Sequence, residues 1–250
     1  MKLKTDGLIL KAQNIGEQDK LVTVLTRDCG VIRAFVRGAK NMKSSKSAAT
    51  QTLTYSRFVV YTGRDTYSLD DAVSEEMFIS LRNDLESLSL AQYLSEVIMT
   101  VAPEHVEAPD FLRLILNALY LLSEKKRPPL LIKSAFEMRA MSLAGYMPDL
   151  VACQNCKCYE AEPMYFLPKR GMIFCEDCVS LDGELKIPLN PGVLTSLRHT
   201  IYADFNKVFN FALPDDSLKI LNMATEQYLL YTLEKDFKTL TFYKSLNQLN

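Results

Sequence analysis

Over the first seventy residues, apolar and polar positions recur with a period near two. Gly7–Lys11, Lys20–Thr26, Val31–Arg37, Tyr55–Tyr61 and Thr66–Leu69 each read as a short strand, rich in β-branched and aromatic residues. The third alternates imperfectly, with Val31, Ala34 and Val36 not wholly in phase. Turn chemistry at Gly63-Arg64-Asp65 separates the last two. Five short strands in so short a span suit a small barrel of the OB type. Gly38 to Ser47 is basic, small and polar, and reads as a mobile loop between the third and fourth strands.

From Ser74 the period becomes helical. Leu90, Leu94, Val97, Ile98 and Val101 form a 3.6-residue stripe. Phe111–Leu122 is dense enough in apolar residues to be buried on nearly all sides. Pro128-Pro129 opens a helix that runs to about Ala144, where Gly145 stops it. Asn190-Pro191 places a cap and a first-turn proline ahead of Val193–Tyr202. A last long helix starts near Asp215-Asp216-Ser217 and carries Leu218, Leu221, Tyr228, Leu229 and Leu233. The expected architecture is therefore α+β and multidomain: a β-barrel over residues 1–75, then a helical domain over 76–250, interrupted at 150–182 by a cysteine module.

That module carries the strongest chemical signal. Cys153-Gln154-Asn155-Cys156 and Cys175-Glu176-Asp177-Cys178 are two C-x2-C knuckles eighteen residues apart, the spacing of a tetrahedral zinc site. Each knuckle aims two thiolates at one point. Four thiolates fill the coordination sphere and leave no position for water, so the expected Zn2+ is structural. Paired redox cysteines are the alternative, but a thioredoxin-type C-x-x-C needs a βαβ context that is absent here. Cys158 offers a further thiol, left out because the two pairs already close the site. Cys29 reads as a buried or strand-edge thiol without a role.

Charge alters the picture more than composition does. The 250 residues are 48% apolar and 24% charged, ordinary for a globular protein, and the net charge is −1. Residues 1–64, however, hold twelve Lys or Arg against four Asp or Glu, a net of +8, and the remainder is correspondingly acidic. A basic N-terminal module facing a polyanion is the reading, with a solvated charged surface as the alternative. Arg33, Arg37, Lys40, Lys43 and Lys46 would form a positive track, with Arg57 nearby. Tyr55, Phe58, Tyr61 and Tyr67 would either stack on bases or, the preferred reading for most, fill the barrel. No apolar run reaches about 18 residues, so no membrane span is expected. The N-terminus lacks a signal-peptide core, and six cysteines in such a chain point to metal in a reducing cytoplasm.

Catalytic motifs are missing. No G-x-x-x-x-G-K, G-x-G-x-x-G, H-E-x-x-H or G-x-S-x-G occurs, and there are two histidines. His105-Val106-Glu107 upstream of Cys153 superficially matches zinc nucleobase deaminases. Ala152 replaces their proline, however, and Cys175 and Cys178 already complete a thiolate site. A non-enzymatic protein is expected.

Gly7-Leu8-Ile9-Leu10-Lys11, the run Gly16–Thr26, Gly30, Arg37-Gly38-Ala39-Lys40, the two knuckles and the closing Lys238–Leu246 run together resemble the RecO recombination-mediator family, in order and over nearly the whole chain. Cys158 lies outside the pattern. The resemblance implies an N-terminal OB-fold, a helical C-terminal domain with an inserted zinc module, and no catalytic site. It implies binding of single- and double-stranded DNA and annealing of complementary strands. Together with RecR, such a protein helps RecA load onto DNA coated by single-strand-binding protein. The acidic, apolar C-terminal tail of that protein would dock on the helical domain. Cytoplasmic, nucleoid-associated residence follows. The rival class is a zinc-ribbon scaffold or transcription-associated protein whose barrel docks protein rather than DNA.

Overall fold

A strand that changes partner halfway along organises the N-terminal part of the computed structural model, which describes residues 2–41, 44–63, 66–180 and 183–247. This strand, β1 (Lys2–Ile15), pairs through Lys2–Leu8 with β4 (Tyr55–Thr62) and through Gly7–Ile15 with β2 (Asp19–Thr26), antiparallel on both sides. Gly7 sits where the two pairings overlap. A Cβ there would lie 2.4 Å from the Leu25 carbonyl oxygen, so only glycine permits the approach. β3 (Gly30–Val36) pairs antiparallel with β2 and parallel with β5 (Tyr67–Glu76), and β5 returns to β4. The order β1-β2-β3-β5-β4 closes into a barrel, which removes the sheet edges. The strands expected at Gly7–Lys11 and Thr66–Leu69 are present but longer, because double pairing extends β1 and the antiparallel ladder with β4 extends β5. Arg64, Asp65 and Lys43 lie outside the described residues.

Ile9, Val22, Val24, Ile32, Ala34, Val36, Phe58, Val60 and Leu69 fill the barrel. Part of the stretch expected to be a mobile loop is helical. α1 (Ser45–Ala49) is capped by the Ser44 hydroxyl, which accepts from Lys46 N, and it puts Ala49 into the barrel core. Val31 falls out of phase because β3 is covered on both sides at its start. Val31 N donates to Pro103 O at 2.9 Å, and a Cβ on Gly30 would meet that same oxygen at 2.1 Å.

By compactness the chain forms two units, one comprising residues 1–124 with 239–250, the other 125–238. Helices α2 (Leu85–Val101) and α3 (Pro109–Ser123) join the barrel's unit because Leu8, Leu10 and Leu25, on the outer side of β1 and β2, are buried where these helices pack. The Asp84 carboxylate caps α2. α3 buries one broad face and exposes Arg113 and Tyr120, a stripe rather than burial all round. The C-terminal helix α7 (Lys238–Asn247) closes this unit, with Glu96 of α2 accepting from Thr239 N and Oγ1.

In the second unit, α4 (Pro129–Leu143), α5 (Pro191–Tyr202) and α6 (Asp215–Leu233) pack together. Asn190 caps α5 as expected, its Oδ1 accepting from Val193 N at 2.9 Å. Between α4 and α5 lies a small antiparallel sheet that periodicity did not reveal, with β6 (Met164–Leu167) flanked by β7 (Met172–Cys175) and β8 (Ile187–Leu189). Three or four residues are too few for a period to emerge.

Candidate nucleic-acid face and metal centre

The first knuckle is built by its own backbone. Cys153 N donates to Cys158 O, Lys157 N donates to Cys153 O, and Lys157 turns at φ 64°. The second begins at the end of β7, where Cys178 N and Val179 N both donate to Cys175 O. Gln154 N to Ile173 O and Asn155 Nδ2 to Cys178 O tie the two together. Arg198 of α5 grips the first knuckle's flanks. It donates to the carbonyls of Leu150, Val151 and Tyr159, and its guanidinium lies 4.0 Å from the Tyr159 ring centroid. Tyr228 of α6 packs against Phe166 of the sheet.

These supports bring the Sγ atoms of Cys153, Cys156, Cys175 and Cys178 within 4.8 Å of one another, Cys156 and Cys175 being 3.5 Å apart. A tetrahedral zinc with bonds near 2.3 Å separates its sulfurs by about 3.8 Å, so the four thiols fit a metal ion. Cys153 and Cys175 are buried, whereas Cys156 is exposed. Burial pushes the Cys153 thiol up, but N–H groups of the two knuckles outweigh it and bring it to about 6. A hydrogen bond with Cys175, followed by burial, pushes Cys178 up to about 12. Thiols this close cannot all ionise unless a cation joins them. Cys158 is outside the converging set, and its hydrogen bond with Cys156 pushes it up to about 12. Cys29 packs half-buried against the barrel core, where burial and then Asp28 raise its thiol.

The basic residues separate into two groups. Arg33 and Arg37 project from the exposed side of β3 and the turn after it, and neither makes an ion pair among the described residues. Lys40 is drawn in beside them. Its Nζ donates to Gly16 O at 2.8 Å and its backbone N to Gln18 O, while Gly38 N donates to Asp19 Oδ1. These bonds pin the β1–β2 turn to the segment after β3. They also place Lys40 near Lys20, which burial and then the Lys40 charge hold below the usual lysine range. Lys20 was not among the residues expected from sequence; it opens a strand, and only the register against the 37–40 turn reveals the pair. Lys46 is half-buried in α1.

Arg57 is elsewhere. It pairs with Glu75 at 2.5 Å and shares a surface hollow with Asp6, Asp28 and Asp71. Arg27 is likewise engaged, in two 2.8 Å bonds to Asp6, which also accepts from Tyr55 Oη at 2.7 Å. Of the four tyrosines and phenylalanines weighed as stacking faces, Phe58 is core. Tyr55 is tied to Asp6, and Tyr67 stacks on His105 with its Oη 2.9 Å from Nδ1. Tyr61 is exposed. No helix of the described residues is long and apolar enough to cross a membrane.

Comparison with known proteins follows the same layout. Residues 1–78 match the family model for the recombination protein O N terminal, and residues 82–241 match that for its C terminal. This division falls close to the end of the barrel strands. A curated DNA repair protein RecO from Acetivibrio thermocellus is 34% identical over 248 residues, covering 99% of this chain and 98% of the relative. Another from Alkaliphilus metalliredigens is 28% identical, covering 98% and 100%. A barrel of OB order with two exposed arginines on β3 and the turn after it, a helical remainder with a four-cysteine cluster, and similarity along nearly the full length all point the same way: the chain belongs to the RecO family of DNA repair proteins.

Proposed function

We propose that this protein is a non-enzymatic recombination mediator that binds single- and double-stranded DNA through the basic face of its barrel and anneals complementary strands. The observation that carries the reading is the placement of Arg33 and Arg37 on one outer face, without an ion-pair partner among the described residues, beside the crowded Lys20 and Lys40. Lys46 extends the set, and Lys43 belongs to the same basic run in sequence. Arg57, held by Glu75, is left out of it. Two complementary strands repel each other as polyanions. Cations that neutralise phosphates of both lower the encounter barrier without reading bases. Nothing in this process consumes a nucleotide.

The metal is a structural Zn2+ held by Cys153, Cys156, Cys175 and Cys178. When bound, it supplies a cross-link between the two knuckles and leaves no open coordination position for chemistry. Family membership supports three further partners: RecR, the C-terminal tail of single-strand-binding protein docking within residues 76–250, and RecA indirectly. It also supports residence with the nucleoid in the cytoplasm, and a DNA-binding domain at 1–75 followed by a partner-binding one.

Annealing of two complementary fluorescent oligonucleotides, without nucleotide, tests the reading. The wild-type protein is expected to accelerate it, and Arg33→Ala/Arg37→Ala to lose most of the acceleration. Wild-type protein that leaves the spontaneous rate unchanged would refute it.

A further inference from the structure

The face that carries Arg33 and Arg37 also carries an aromatic ring between them. In β3 the side chains of Ile32, Ala34 and Val36 enter the barrel, so Arg33, Phe35 and Arg37 point outward together, and Phe35 remains 44% exposed. The register continues the row. Phe35 opposes Leu21 of β2 on one side and Ser68 of β5 on the other, and Ser68 opposes Tyr61 of β4. Tyr61 is 42% exposed, with the Lys2 ammonium 5.6 Å from its ring centroid. The two outward aromatic residues thus stem from backbone positions two strand spacings apart, about 9.5 Å, with half-buried Ser68 between them. Asp70, one position beyond the paired Leu69, lies in the adjoining row, and Asp19 sits at the row's end against Gly38; among the described residues Arg33, Arg37 and Lys40 outnumber these two acids.

A lone exposed phenylalanine needs no explanation. One flanked by guanidinium groups that make no ion pair among the described residues, on its own strand and the turn after it, and in register with a second exposed ring has a specific chemical complement, a polyanion that also presents flat π-faces. We infer that Phe35 is a base-stacking platform that selects single-stranded over duplex nucleic acid, with Tyr61 as a second stacking position. The inference rests on the proposed DNA-binding face and adds a discrimination that the cations cannot supply. Phosphates are common to both forms of DNA, but only an unpaired base frees its face to lie on a ring. Arg33 and Arg37 hold the backbone on either side, and Phe35 takes the base.

The sequence contains no tryptophan, so Phe35→Trp introduces a sole indole reporter. The test combines that variant with Phe35→Ala and Phe35→Leu, each titrated with a thymidine oligonucleotide and with a duplex at fixed salt. The alanine variant should bind the single strand roughly 5- to 150-fold more weakly, while duplex affinity changes by less than about twofold. The leucine variant keeps apolar area but has no π-face, so it should be nearly as weak as alanine. The indole should be quenched by the single strand and not by the duplex. Because the ring points away from the core, circular dichroism should match the wild type. Wild-type binding that persists unchanged in Phe35→Ala, full recovery in Phe35→Leu, or an unquenched indole would each overturn stacking while leaving the cationic face intact. A wild-type protein that fails to bind either oligonucleotide at any salt would overturn the DNA-binding reading itself, and stacking with it.

Discussion

Lys133 is 1% exposed inside the second unit, and its removal should be among the most damaging single changes in the chain. Its Nζ has acceptors at 2.8 Å in Asn222, 2.8 Å in Glu137 and 2.9 Å in Glu226, one for each of its three protons. Glu137 and Glu226 are themselves nearly inaccessible, and Glu137 Oε2 also accepts from Thr225 Oγ1 at 2.7 Å. The group joins α4 to α6. Lys133→Met preserves volume and deletes the cation, leaving two carboxylates facing each other without water. Removing one partner of a buried ion pair costs about 3–5 kcal/mol, and here two acids lose the same cation. With a urea slope of about 1–3 kcal/mol per molar, the midpoint of the transition belonging to residues 125–238 should fall by at least about 1 M. Far-ultraviolet circular dichroism follows this transition, and chelator should shift the same one, because the cysteine cluster lies in that unit. Replacing the whole group, as Lys133→Met/Glu137→Leu/Glu226→Leu, should restore most of the loss, since apolar packing commonly matches or exceeds a buried ion group. A single variant that loses less than about 1 kcal/mol, or a triple variant no better than the single, would refute the reasoning.

Other expectations follow from the same geometry. The Arg27 hydrogen bonds hold the Asp6 carboxyl below the usual aspartate range. That stabilisation is present above the unfolded-state value near 3.9 and is lost as pH falls through the lower folded value. Arg27 is half exposed, so Asp6→Asn should cost only about 1 kcal/mol at neutral pH, and the stabilities of the two proteins should converge once the pH has fallen below the lowered folded value of Asp6. Elemental analysis should give about one zinc per chain, retained in Cys158→Ser and lost in Cys175→Ser; the reverse pattern would mean a different ligand set. Arg57→Ala should leave DNA affinity within about twofold of wild type, because Arg57 is committed to Glu75 among carboxylates.

The sequence shows features whose cause is local. Strands with β-branched alternation, the Asn190 cap and the paired C-x2-C turns each require only neighbours in the chain, and each is where the pattern puts it. What the sequence hides depends on distant partners. Lys133 and Glu137, four apart, look like an ordinary exposed helical pair until α6 brings Glu226 against them. The length of β1 follows from having two partners, and the packing of α2 and α3 with the barrel follows from apolar residues on the outer side of β1 and β2. Arg57 counts as a basic residue of the first module until β5 delivers Glu75. Phe35 was readable in principle: strict alternation from Ala34 and Val36 places it outside with Arg33 and Arg37. The irregular start of β3, covered by the Pro103 loop, obscured that phase.

The salt dependence of single-strand binding tests the central claim most directly. Each phosphate neutralised by a lysine or arginine contributes roughly −0.7 to the slope of log affinity against log salt. Contacts from four or five of Lys20, Arg33, Arg37, Lys40 and Lys46 should give a slope of about −3 to −3.5, and Arg33→Ala/Arg37→Ala/Lys40→Ala should make it shallower by about 2, with affinity reduced for all base sequences alike. Equal slopes and affinities for the triple variant and the wild type would contradict the account and direct the search to other cations, beginning with Lys235, Lys238 and Lys244.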